Sequence, residues 1–146
     1  QPENPTKYAP ADYSLNFDCE DLVSTEKINE IMNSSYELQN VHLGNYGEIL
    51  FSLCTYNVVG KTYNQLKTQV NQEPGAEQDL KKDYEKNLKY NELINLGDYG
   101  YILKPGGEMF IYFYLKKHPD AQFVVRGNDY QKEKLLELAR YISNNI

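Results

Sequence analysis

The sequence predicts an α+β domain, a two-layer antiparallel sheet of about five strands with helices near the N-terminus, middle and C-terminus. Three observations predict this class. Residues 107–128 read as two strands joined by a short turn, and the segment after them repeats apolar residues at helical spacing. The connections between predicted elements are short, which favours antiparallel pairing. Helices interspersed with such a sheet are typical of α+β domains.

The apolar hairpin at residues 107–128 is the strongest strand signal. Every residue from Met109 to Leu115 is apolar or aromatic, a composition that favours a pleated surface. The residues alternate between two faces, with Met109, Ile111, Phe113 and Leu115 on one and Phe110, Tyr112 and Tyr114 on the other. The first face offers no hydrogen-bonding side chain, so we expect it to be the core. Pro119-Asp120 is typical of a turn, and Phe123–Val125 restarts the sheet.

A closing amphipathic helix follows Gly127-Asn128-Asp129, which should end the strand and cap the helix. Its apolar positions recur at helical spacing: Leu135, Leu138, Ala139, Ile142 and Ile146. A strand–turn–strand–helix unit is therefore predicted at the end of the chain.

The upstream chain begins with a polar, proline-containing segment. We expect residues 1–12 to be a disordered leader and residues 13–146 to be a single domain. With no initiator Met and no signal peptide, the sequence reads as a mature chain whose targeting segment has been removed. Residues 13–17 alternate and could form a short strand.

The remaining elements are predicted in chain order. Ser24 is a good N-cap for a short helix that buries Ile28, Ile31 and Met32 and ends near Asn33. After a turn-prone segment at residues 44–47, a strand is expected over residues 48–56 and a weaker paired strand over 61–70. A polar helix at about 76–93 and a strand at 97–104 lead into the hairpin.

Composition limits the function classes. The 146 residues carry a formal net charge of −6, which argues against nucleic-acid binding, since such domains usually show a basic patch. No apolar run approaches the roughly 20 residues that a bilayer-spanning helix needs, so we expect no transmembrane segment in this chain. Fourteen tyrosines and no tryptophan make the aromatic content unusual.

The two cysteines, Cys19 and Cys54, leave three alternatives: two buried thiols, a disulfide, or half of a metal site. No CxxC spacing occurs and the chain has only two histidines, which disfavours zinc. We favour a disulfide, because one cysteine precedes a helix cap and the other lies on an apolar strand. Such a bond would imply an oxidising compartment.

These cysteine segments resemble a known family. Cys19 to Ile28, followed by Leu53-Cys54-Thr55-Tyr56, is similar to the opening of small envelope lipoproteins of Gram-positive bacteria and to the extracellular sensor domain of a mycobacterial serine/threonine kinase. The late strands and Leu138-Ala139-Arg140-Tyr141-Ile142 extend the resemblance. The chain also resembles the photosystem subunit P-like α+β fold. The resemblance to the envelope domains implies a disulfide and an extracytoplasmic location, secreted or anchored through a removed N-terminal segment, and no catalytic residues.

No chemical motif indicates an enzyme or a cofactor. There is no G-x-S-x-G elbow, and we interpret His42 and His118 as loop or turn residues. Pro105-Gly106-Gly107 is followed by neither a helix nor Lys-Ser/Thr, so it is a hairpin turn rather than a phosphate loop. We therefore expect no catalytic residues and no cofactor.

Two further patterns have ordinary explanations. Asp18, Glu20 and Asp21 could hold calcium, but their spacing is not that of an EF-hand, and acids near a helix start are favoured in any case. We expect no metal. Asn33-Ser34-Ser35 matches a glycosylation sequon, a match common by chance.

The tyrosines are the candidate binding residues. Tyr99, Tyr101, Tyr112 and Tyr114 recur at period two on strands that the Pro105–Gly107 turn makes neighbours. These rings could pack beneath helices as core, or form a platform for a small molecule, a glycan or a protein at the cell envelope. The leading interpretation is a non-enzymatic, sensor-like extracytoplasmic domain that binds a ligand or partner. The alternatives are a small secreted hydrolase or inhibitor-type effector, and a structural or adhesion module of the envelope.

Overall fold

The computed structural model describes residues 6–8, 18–61, 65–73, 75–86, 92–104 and 106–146. One mixed sheet dominates this part of the chain. Its strands are β1 (Thr6–Tyr8), β2 (Tyr36–Tyr46), β3 (Ile49–Val58), β4 (Gln65–Gln72), β5 (Glu92–Leu93), β6 (Tyr99–Leu103), β7 (Glu108–Tyr114) and β8 (Ala121–Asn128). The helices are α1 (Thr25–Met32), α2 (Ala76–Lys86) and α3 (Lys132–Asn145), with 3-10 turns at Cys19–Asp21 and Asp129–Gln131.

The strands lie in the order β1-β2-β3-β4-β8-β7-β6-β5, and every neighbouring pair except the parallel β1–β2 is antiparallel. The α+β prediction is confirmed. The count of about five strands is too low, because the described residues contain eight, of which six have five residues or more. The additional long strand is β2, whose polar sequence lacks an apolar alternation and whose last residues, 44–46, fall in the segment that the sequence predicts to be a turn. The actual turn is Gly47-Glu48, where Gly47 has φ +59°.

Within the predicted leader, Thr6–Tyr8 pairs in parallel with Asn40–His42 of β2. These three residues lie between Pro5 and Pro10, so their backbone is free of proline and can join a sheet edge. The rest of the predicted leader and the short strand predicted at residues 13–17 lie outside the described residues. Residues 87–91 of the helix predicted at about 76–93 also lie outside the described residues. So do residues 62–64 of the strand predicted at 61–70.

The main core lies between one sheet face and the helices α1 and α3. Met109, Ile111, Phe113 and Leu115 are buried there, as their alternation predicted. Helix α3 buries Leu135, Leu136, Leu138, Ala139 and Ile142 against the same face. Its first turn is preceded by a 3-10 turn rather than a side-chain cap.

Helix α1 begins and ends where the sequence indicates. The Ser24 hydroxyl accepts a hydrogen bond from the Lys27 backbone N–H at 3.1 Å, which satisfies one of the amides left open at a helix start. Asn33 ends the helix in the left-handed conformation with φ 52°. Asn is one of the few residues that adopts this conformation at a helix end.

The predicted disulfide is confirmed. Cys19, in the 3-10 turn before α1, bonds Cys54 on β3 with a Cα–Cα distance of 5.7 Å, and both residues are fully buried. Beside the bond, the buried Ser52 hydroxyl accepts a hydrogen bond from the Cys19 backbone N–H at 2.8 Å. The disulfide therefore fixes the segment before α1 to the middle of the sheet.

Candidate binding face

The four candidate tyrosines lie on one face of the sheet, opposite the face covered by α1 and α3; we name it the tyrosine face. Pairing of β6 with β7 places Tyr99 opposite Tyr114 and Tyr101 opposite Tyr112. Ring centroids are 5.9 Å apart in the first pair and 4.9 Å apart in the second, whose planes differ by 16°. The structure thus brings all four rings together.

Only two of the four rings are available to a ligand. Tyr101 and Tyr114 are 3% and 1% exposed, whereas Tyr99 and Tyr112 are half-buried. Helix α2 contacts β6 and β8, and its Glu77 lies beside the Tyr114 side chain. Burial, with the Glu77 charge next in importance, raises the pKa of Tyr114 above its usual range.

Tyr114 and Tyr101 are therefore core residues, one of the two alternatives that the sequence leaves open for these rings. The two-layer prediction holds for α1 and α3, but α2 lies against the opposite face at the Tyr114 end. Sequence alone could not place α2, because its polar surface does not specify which side of a sheet it covers.

Phe110 and Arg126 belong to the same surface and were missed as site residues. The Phe110 ring stacks beside Tyr112 at 6.2 Å, and the Arg126 guanidinium lies over Phe110 at 4.3 Å from the ring centroid. Phe110 could have been found, since it shares the period-two face with Tyr112. Arg126 could not, because its position opposite Phe110 depends on the β7–β8 register.

Amide side chains form a polar relay next to the aromatic rings. Gln69 donates to Asn71 at 2.8 Å, and Asn71 donates across the strands to Gln122 at 2.9 Å. All three are half-buried. The relay has a carbonyl oxygen at the Gln69 end and an amide N–H group at the Gln122 end, so it can accept a hydrogen bond at one end and donate at the other.

A charged corner completes the face. Lys67 lies directly opposite Arg126 on neighbouring strands. A cavity of about 80 Å³ opens there, lined by Gln65, Lys67, Glu108, Arg126, Gly127 and Asn128. From this corner the face runs through Phe110 and the half-buried Tyr112 to the buried tyrosines.

The two histidines each lie against a phenylalanine ring. His42 meets Phe51 edge-on at 5.3 Å, and His118, in the turn between β7 and β8, meets Phe123 edge-on at 6.0 Å. Within the described ranges, no group of three or more His, Cys, Asp or Glu side chains is placed to hold a metal.

The acids around Cys19 have a local structural role. The Asp18 carboxylate accepts from the Glu20 backbone N–H, and the Asp21 carboxylate accepts from the Asp18 backbone N–H, both at 2.9 Å. This reciprocal pair is a capping box that satisfies open backbone donors. It gives Asp18 and Asp21 a role in stabilising the turn that carries Cys19.

Comparisons with known proteins support the fold. No protein-family model matches the chain, and no curated protein matches it. The chain is similar to the crystal structure of a GTP binding regulator from Thermotoga maritima, with 15% sequence identity and a TM-score of 0.51 over 84% of this chain and 89% of that one. The similarity at this identity shows a shared fold.

No helix in the described part of the chain is long and apolar enough to span a membrane.

Proposed function

We propose that this chain is a non-enzymatic, extracytoplasmic domain that binds a ligand or partner through its tyrosine face. The observation that carries the proposal is the half-buried Tyr112, whose ring stacks with Tyr101 at a centroid distance of 4.9 Å and with Phe110 at 6.2 Å. Because two neighbours already restrain the Tyr112 ring, little side-chain conformational entropy is lost when a ligand packs on it. More of the contact energy therefore remains as binding affinity.

The polar surroundings of Tyr112 support binding rather than catalysis. The amide relay and the Lys67–Arg126 corner supply hydrogen bonds and charge around an aromatic surface, the combination that orients a ligand in a site. His42 lies on the same sheet face two strands from Gln69 and packs against Phe51, and His118 lies in the turn after β7, so neither is placed beside the relay or the corner. We therefore assign recognition to this face and no chemical step.

The compartment is inferred from the disulfide. Such bonds persist in oxidising environments and are rare where thiols are kept reduced. The buried Cys19–Cys54 bond, together with the resemblance of its flanking segments to Gram-positive envelope domains, supports an extracytoplasmic location and an envelope sensor-like role. Trapping thiols with an alkylating agent in the source cells tests this; two alkylated cysteines in the freshly trapped protein would place it in a reducing compartment.

Binding is tested by mapping NMR shifts of the isotope-labelled protein during titration with panels of oligosaccharides and short peptides. We expect shifts to cluster on β7 and β8. Tyr112→Ala should weaken binding roughly tenfold, the cost of losing a central aromatic contact, whereas Tyr112→Phe should keep most of the affinity. Tyr130→Ala is the matched control, because Tyr130 is 69% exposed and lies in the 3-10 turn before α3. Shifts centred elsewhere, or equal losses from the Tyr112 and Tyr130 variants, would refute the proposed face.

A further inference from the structure

The charged corner of the tyrosine face contains two cations in an unfavourable arrangement. Lys67 and Arg126 are directly opposite each other, and like charges at such positions destabilise a sheet. Neither forms an ion pair with a carboxylate of the described residues. In a chain with a net charge of −6, two adjacent cations that form no ion pair within the described ranges need an explanation beyond fold stability.

The surroundings of Lys67 show what such a partner would have to supply. Burial lowers the pKa of Lys67, the positive charge of Arg126 lowers it further, and Glu108 opposes them with the smallest effect. Glu108 is exposed and lies in the next row of the sheet, opposite Asn128. It therefore compensates the pair only in part, and a second negative charge would relieve both cations.

Arg126 is held in place for such an interaction. Its guanidinium packs over the Phe110 ring, which restrains a long side chain that otherwise loses entropy on binding. Its planar group offers donors that match a carboxylate, sulfate or phosphate in pairs. Phe110 thus serves as a support for Arg126, and Tyr112, one position along the same strand face, remains for an apolar contact.

The position of these residues within the sheet favours a saccharide over a peptide. Strands β4, β8 and β7 are interior strands, and their backbone groups pair with neighbours on both sides. An extended peptide gains much of its affinity by pairing with an open sheet edge, which this site lacks. Recognition must come from side chains: an aromatic ring for the apolar face of a sugar, and the Gln69–Asn71–Gln122 relay for its hydroxyls.

We infer that the ligand of the tyrosine face is an acidic saccharide, an inference that rests on the proposed function. Its carboxylate or sulfate lies against Lys67 and Arg126. Its ring packs on Tyr112, and its hydroxyls reach the amide relay. Adjacent strands are roughly 5 Å apart, so the distance from Lys67 to Tyr112 spans about two strand spacings, which one or two linked sugar rings cover.

The test is a titration of the full chain with disaccharides that carry one carboxylate or one sulfate, each paired with its neutral counterpart. Affinities are measured by calorimetry and the site by NMR shifts. We expect the acidic member of a pair to bind roughly tenfold more tightly, the effect of one charge-assisted contact. Lys67→Gln should remove this preference, so that the acidic and neutral members of each pair bind that variant with equal affinity. Glu108→Gln, which removes the nearby negative charge, should increase the preference.

Lys116→Gln is the matched control, because Lys116 is exposed in the turn after β7 and away from the corner. An acidic preference that survives Lys67→Gln, or that Lys116→Gln reduces equally, would overturn the inference. Equal binding of acidic and neutral sugars that still requires Tyr112 would overturn it while leaving the proposed function intact. Sodium sulfate that shifts the Lys67 and Arg126 amides with no gain from an attached sugar, or tighter binding of an acidic peptide, would also overturn the saccharide assignment.

Discussion

Reduction of the Cys19–Cys54 bond offers the sharpest test of how this fold is stabilised. The bond closes a loop of 35 residues. In the chain-entropy description, cross-linking a loop of this length removes about 13 cal/mol/K from the unfolded chain, which corresponds to about 4 kcal/mol at room temperature. This is a large share of the roughly 5–15 kcal/mol that stabilises a typical domain.

The native contacts around the bond should survive reduction. Both cysteines are fully buried, and the Cys19 backbone N–H still donates to the Ser52 hydroxyl when the sulfurs separate. The reduced protein should therefore stay folded, and the loss of stability should arise mainly in the unfolded chain. With a urea dependence of about 2 kcal/mol per molar, the midpoint of unfolding should fall by about 2 M.

The assay is urea unfolding followed by circular dichroism, with and without a phosphine reductant. A control variant, oxidised Ser52→Ala, loses only the hydrogen bond and should cost about 1–3 kcal/mol for the buried donor left unsatisfied. A midpoint shift on reduction below about 0.5 M, equivalent to about 1 kcal/mol, would refute the chain-entropy reasoning for this protein. Two reactive thiols in the unfolded, unreduced protein would show that the bond does not form.

Three further predictions concern the core, the turns and a buried phenol. Leu138→Ala should lower the free energy of unfolding by roughly 2–5 kcal/mol, because Leu138 is fully buried on α3; a cost under about 0.5 kcal/mol in urea, the range of surface substitutions, would contradict its placement. Gly97→Ala should cost about 2–4 kcal/mol, since it combines a φ of +60° with a Cβ only 2.7 Å from the Tyr114 carbonyl oxygen. Gly106→Ala shares the positive φ but its Cβ meets no atom, so it should cost only about 1–2 kcal/mol. Equal losses from the two substitutions would show that the chain shifts to remove the contact between the new Cβ at position 97 and the Tyr114 carbonyl oxygen. Burial is the largest cause that raises the pKa of Tyr56 to about 12, above the value of about 10 for an unfolded tyrosine. Because the unfolded chain releases this proton first, stability should fall by about 1.4 kcal/mol per pH unit as the pH rises from about 10 to about 12. In urea unfolding near pH 9 and near pH 11, the free energy of unfolding of Tyr56→Phe should lack this loss. An equal pH dependence of stability in both proteins would contradict the raised pKa of Tyr56.

Local chemistry was enough to predict the elements with strong periodicity or caps. The alternation from Met109 to Leu115 identified β7 and its core face, and the spacing of Leu135, Leu138 and Ile142 identified α3. Ser24 marked the start of α1, because a hydroxyl at that position satisfies a backbone donor whatever the rest of the chain does. Each of these signals lies within a few consecutive turns or strand positions.

The elements that were missed depend on partners rather than on their own residues. β2 is rich in polar side chains and exists as a strand because β3 pairs with ten of its residues, and β1 and β5 are too short to carry a pattern. A strand of this kind is stabilised by hydrogen bonds to its neighbour and by the surface that it covers, and neither can be read from alternation alone.

The features of the candidate site likewise separate into those that the local sequence determines and those that depend on tertiary partners. The sequence determined that tyrosines at period two share a face, because successive side chains of a strand point to opposite sides. Only the tertiary structure decided that Tyr101 and Tyr114 are buried, the latter beside Glu77 of α2, and that Tyr112 stays partly accessible. It also decided that Lys67 lies opposite Arg126, since that pairing joins strands β4 and β8, which are separated in sequence by α2 and three other strands. Register between distant strands is set by the packing of the whole sheet against its helices, and a shift of one residue in either strand would turn the cation of that strand to the opposite face.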